Sequence, residues 1–163
     1  MKHLAALLAA GLPFAALPTW AADTYVTEIR GNEKNPASSV TFSGDCGEEC
    51  YAATLSCGET GGVSFTFGDV EAKAAAAAML RKDQSFAIRI GKKTFSATIL
   101  RLEYGGEMYG TWLVTGDLPG TSMAPEFVAA IGKATSFKAS IGGKSLVLPV
   151  NDDVKKWVAA CGK

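Results

Sequence analysis

Histidine is almost missing from this chain: His3 is the only one among 163 residues. It lies in a stretch, "MKHLAALLAAGLPFAALPTWAADT", laid out as a secretory signal peptide. Lys2 and His3 open it, an apolar run extends from Leu4 to Leu17, and Thr19-Trp20-Ala21 presents small residues where a signal peptidase cuts. Gly11, Pro13 and Pro18 interrupt the run, which falls short of the ~20 apolar residues of a membrane span. Cleavage after Ala21 is therefore expected, with a periplasmic or secreted destination and no stable membrane insertion afterwards. The exported chain would have no histidine. That excludes Ser/His/Asp and Cys/His catalysis, removes the commonest zinc and copper ligand, and leaves carboxylate-pair chemistry possible.

A surplus of positive charge is also lacking. Without residues 1–21, 15 basic residues stand against 16 acids, a balance that argues against nucleic acid as a partner. The charge is nonetheless unevenly placed. Residues 22–70 carry eight acids and two bases, the remainder thirteen bases and eight acids. No glycine-rich segment joins a strand to a helix as a phosphate loop would, and nothing calls for a cofactor.

What is present is strand grammar. Residues 22–39 form a polar segment with room for one strand at Tyr25–Ile29, and residues 40–163 read as one domain. In "VSFTF" Val63, Phe65 and Phe67 alternate with hydroxyl residues, and "YAATLSC" places Tyr51, Ala53, Leu55 and Cys57 on one face. Three helices are expected. "DVEAKAAAAAMLRK" has Asp69 as N-cap, "SMAPEFVAAIGK" spaces Met123, Phe127 and Ile131 by four, and "NDDVKKWVAACGK" is capped by Asn151 with Val154, Trp157, Val158 and Cys161 on one side. An internal echo joins "SFAIRIGKKTFSATI" to "SFKASIGGKSLVLPV", each a strand, a Gly/Lys turn and a strand after a helix. The expected class is α+β: a single small disulfide-stabilised domain with a mainly antiparallel sheet of six or seven strands packed by these helices.

Four cysteines in an exported chain point to two disulfides. The inward faces of strand and helix pair Cys57 with Cys161, leaving Cys46 and Cys50 to close the acidic ring "CGEEC". A thiol-redox or copper-handling role for Cys46 and Cys50 is the alternative; flanking Asp45, Glu48 and Glu49 oppose the thiolate it needs.

The final hairpin, with the closing helix "VKKWVAAC", resembles small secreted proteobacterial proteins of the invasion-associated locus B kind over about the last thirty residues. The resemblance implies an envelope protein without enzymatic activity. The residues themselves place a binding surface on Tyr104, Met108 and Tyr109 of the glycine-rich segment 103–122, beside a basic hairpin of Arg89, Lys92 and Lys93. Its expected partner is another protein or an envelope component, the chain serving as an inhibitor or accessory factor. Glu103 and Glu107 are the best acid pair should the chain instead be a cell-wall hydrolase.

Overall fold

The computed structural model describes residues 25–44, 51–58, 62–105, 111–118 and 123–162. Nine strands are present: β1 (Val26–Arg30), β2 (Ser39–Ser43), β3 (Tyr51–Cys57), β4 (Val63–Glu71), β5 (Ser85–Ile90), β6 (Lys93–Tyr104), β7 (Thr111–Leu118), β8 (Ser136–Ile141) and β9 (Lys144–Pro149). Helix α1 (Ala72–Met79) follows β4, α2 (Met123–Ile131) follows β7, and α3 (Asp152–Cys161) ends the described chain. All nine strands share one antiparallel sheet in the order β1-β2-β3-β4-β7-β6-β5-β8-β9. The fold is small and mostly antiparallel, as expected, but sheet-dominated rather than a balanced α+β domain. Strand β1 falls where the polar segment left room for one, and β2, ahead of the cysteine cluster, is the strand not foreseen.

The sheet is strongly curled. Phe42 on β2 and Phe137 on β8 meet with ring centroids 5.9 Å apart, although six strand steps separate them, roughly 29 Å in a flat sheet. The result is a half-barrel with its core on the concave side. Phe42, Phe65, Phe67, Phe86 and Phe137 pack there edge to face or tilted, and Trp157 of α3 is fully buried against them. Helix α3 lies against β1 and β2. Cys57 at the end of β3 bonds Cys161 at the end of α3, as the face patterns require.

The echo in the sequence is an internal pseudo-twofold. In β5 and β6, Phe86, Ile88 and Ile90 pair with Ala97, Phe95 and Lys93; in β8 and β9, Phe137, Ala139 and Ile141 pair with Leu148, Leu146 and Lys144. Every position in the second hairpin is the first shifted by 51. The same shift relates β4 to β7, where Val63 pairs with Leu118 and Phe67 with Val114. Two pairs lie on the pseudo-axis, Phe65 with Gly116 and Ile88 with Ala139. At the first of these, the space a Cβ on Gly116 would take is filled by the Phe86 ring. The helices are displaced within the repeat: buried Ala74, Ala75 and Ala78 of α1 match Phe127, Val128 and Ile131 of α2 only with a shift of 53. The symmetry fails where β6 runs on to Tyr104 and pairs with β7, because the second copy turns at Asn151 into α3 and β3 takes the place beside β4.

Two local expectations are corrected. Asp69 does not cap α1. It belongs to β4 with a left-handed φ of 50° at an irregularity between Phe67 and Val70, and Glu71 is the N-cap without a side-chain bond. Tyr51 does not share the inward face of Ala53 and Leu55. A register shift between Phe42 and Ser43 puts Tyr51 opposite Ser43, so its ring lies on the convex side across Gly68, the glycine supplying the room. Burial there pushes the Tyr51 phenol up, and hydrogen bonds with Thr54 and Thr66 pull the other way.

Candidate functional site

Alternation decides what the convex face offers. On β2, β3, β4 and β7 the outward positions carry Ser39, Thr41, Thr54, Ser56, Ser64, Thr66, Thr115 and Asp117. Hydroxyls bond across strands, Thr41 with Thr54 at 3.0 Å and Thr66 with Thr115 at 3.0 Å, and Ser64 donates to Asp117 at 2.6 Å. These cross-strand pairs stabilise the sheet.

The other half of the convex face differs in charge. Across β6, β5, β8 and β9 one row reads Thr94, Arg89, Lys138, Val147 and the next Ser96, Ala87, Ser140, Ser145. Arg89 and Lys138 are exposed and directly opposite each other, a separation of roughly 4.5–5.5 Å between Cα atoms. Like charges so placed destabilise a sheet. Arg89 turns its Nε–H to the carbonyl of Gly91 at 3.2 Å, which draws the guanidinium along the strand. No carboxylate lies nearby in sequence, for residues 84–102 and 127–151 contain no Asp or Glu at all. Glu126 of α2, close to the β5–β6 turn, is held by Lys93 at 2.6 Å.

Of the residues named from the sequence, Arg89, Lys92 and Lys93 therefore lie together at one end of the β5–β6 hairpin. Tyr104 does not join them. Lys93 begins β6 and Tyr104 ends it, roughly 36 Å away along a twelve-residue strand. The single surface combining the aromatic segment with the basic hairpin is thus two surfaces at opposite ends of one strand. At the far end Tyr104, half exposed, packs edge-on to Trp112 at 5.5 Å, and Glu103 contacts Arg101. Met108, Tyr109, Glu107, Cys46 and Cys50 lie outside the described residues.

Lys138 escaped sequence reasoning. The echo held part of the signal: with the hairpins equivalent by a shift of 51, the pairing of β5 with β8 centred on Ile88 and Ala139 sets Arg89 against Lys138.

A groove of about 520 Å³ lies at the other mouth of the half-barrel, lined by Asp69, Glu71, Ala74, Thr111, Gly142, Gly143 and Lys144. Its one ammonium is already engaged, since Lys144 donates to the carbonyl oxygens of Gly68 and Asp69. It holds no nucleophile beyond the Thr111 hydroxyl, and no base is aimed at that group. Among the described residues no group of three His, Cys, Asp or Glu side chains could hold a metal ion, and no helix is long and apolar enough to cross a membrane. Comparison with protein-family models, with curated proteins and with solved structures finds no match to this chain.

Proposed function

We propose that this chain is an exported, non-enzymatic binding protein that captures an acidic component of the cell envelope through the convex face of β6, β5, β8 and β9. The observation that carries the reading is Arg89 opposite Lys138 on strands whose residues 84–102 and 127–151 hold no carboxylate. Such a pair costs stability in the free protein, and an anionic partner removes that cost on binding. The leader-like start supports export. The missing histidine supports a binding role over a hydrolytic one.

Capture from envelope extract tests it, with the wild-type protein as bait beside two variants. Arg89→Glu with Lys138→Glu should abolish retention of the partner, whereas Tyr104→Ala should retain it. The reverse pattern would transfer the function to the aromatic end, and retention by every variant would remove both surfaces.

A further inference from the structure

Resting on the reading of this face as a binding surface, we infer that it docks on a lipid surface displaying phosphomonoester headgroups, with Arg89 and Lys138 sharing one phosphoryl group. Two cations side by side are neutralised by a single group carrying roughly −1.5 to −2 charge, the charge of a phosphomonoester at pH 7. A carboxylate brings half of that, and its two oxygens cannot occupy the donors available. Arginine presents a planar fork and lysine a movable point charge. Exposed hydroxyls of Thr94 and Ser96 stand on the strand beside Arg89, and one row along lie the half-buried Ser140 and the exposed Ser145. Ser140 and Ser145 bond each other at 2.9 Å, so one hydroxyl hydrogen of that pair is left to donate outward. Lys92, exposed in the turn of the β5–β6 hairpin, adds a third cation at the edge.

The shape argues for a headgroup on a surface rather than a free metabolite. Small ligands are enclosed by concave sites, and this face is the outside of a curled sheet. Only an anion presented on an extended surface can reach both cations and the hydroxyl rows together. Positive charge near an anionic leaflet contributes about fivefold in affinity for each lysine or arginine.

Co-sedimentation of the protein, as the expressing cell matures it, with vesicles of phosphatidylcholine containing either phosphatidic acid or phosphatidylglycerol reads the proposal directly. Binding to the phosphatidic acid vesicles should be tighter, reflecting the additional charge of the monoester, and should weaken between pH 7 and pH 5 as the phosphoryl group takes up its second proton near pH 6. Arg89→Gln with Lys138→Gln should lose roughly thirtyfold, two cations at about fivefold each, with an unchanged thermal midpoint or a raised one. Equal affinity for the two lipids, or full binding by the double variant, overturns the inference. If neither vesicle binds while envelope capture still depends on Arg89 and Lys138, the partner is an acidic protein or glycan. The inference then falls and the binding surface stands. Loss of both results removes the surface as well.

Discussion

Ile88 lies directly opposite Ala139 across the β5–β8 pairing, and the two residues occupy the same position in successive copies of one 51-residue unit. An antiparallel pair can bring equivalent residues face to face only on a twofold axis, so one register places β4 against β7, β5 against β8, and the two hairpins on either side. The same register makes Gly91 and Gly142 counterparts. Both adopt left-handed backbone, with φ of 57° and 52°.

Their surroundings differ, which separates backbone strain from collision. A Cβ on Gly91 meets nothing, whereas one on Gly142 would strike the backbone of Ala74 at the start of α1. Gly91→Ala should cost about 1–2 kcal/mol from left-handed strain alone. Gly142→Ala should cost that and roughly 1–3 kcal/mol more from overpacking. Urea denaturation of the two variants checks the ordering, and equal losses would remove the contact between the second hairpin and α1.

Charge reversal at one member of the opposed pair should separate stability from binding. Lys138→Glu places an acid against Arg89, and a cross-strand opposite-charge pair contributes roughly 0.2–1 kcal/mol. The variant should unfold at higher urea concentration than wild type at low salt, with the gain shrinking in 1 M salt, while losing its envelope partner. A variant less stable than wild type would show that the two side chains do not repel in the folded sheet.

The strands were legible because one face of each is buried, and alternation reports that directly in Val63, Phe65 and Phe67 or Phe86, Ile88 and Ile90. The Cys57–Cys161 bond was legible for the same reason, both residues reading as inward-facing. The face of Tyr51 was not, since one register shift inverts alternation without leaving a mark in composition, and Gly68 was the sole hint that a ring would cross there. Asp69 resembled a helix cap because short polar residues suit both caps and left-handed bulges. The separation of Tyr104 from Lys93 was hidden by the length of β6, which nothing in its alternation limits. Hairpin grammar reveals neighbours, whereas the curl that brings Phe42 onto Phe137 depends on contacts between residues 95 apart in the chain.

The disulfide closes a long loop, with Cys57 and Cys161 separated by 104 positions in sequence. In the chain-entropy account a loop of that length contributes about 4.7 kcal/mol, with measured effects generally about 2–5 kcal/mol. Cys57→Ser with Cys161→Ser should lower the urea midpoint by the equivalent of that range while keeping the β-sheet circular dichroism spectrum, because Val154 and Trp157 still anchor α3 in the core. A double variant as stable as wild type would mean that the bond constrains nothing in the unfolded chain.

At the other end of α3 a polar relay joins the helix to β1. Asn151 Nδ2 donates to Thr27 Oγ1 at 2.8 Å, Thr27 donates to Asp153 at 2.8 Å, and Asn151 accepts from the amide of Val154. The Thr27 hydrogen bond, with Lys156 assisting, holds the Asp153 carboxyl below its ordinary value. A depressed carboxyl contributes stability above the unfolded-state value of about 3.9 and loses it as pH falls through the lower folded value. Asp153 is only partly buried, so the effect is small, but its direction is fixed. Thr27→Val removes both the Asp153 bond and the Asn151 bond. Its deficit relative to wild type should be largest near pH 7, narrow as pH falls below about 4, and persist in part at pH 2, where the Asn151 contribution remains. Urea titrations at pH 7, 4 and 2 measure this. A deficit that stayed constant across the series would separate Asp153 from the relay and leave Asn151 as the partner through which Thr27 contributes.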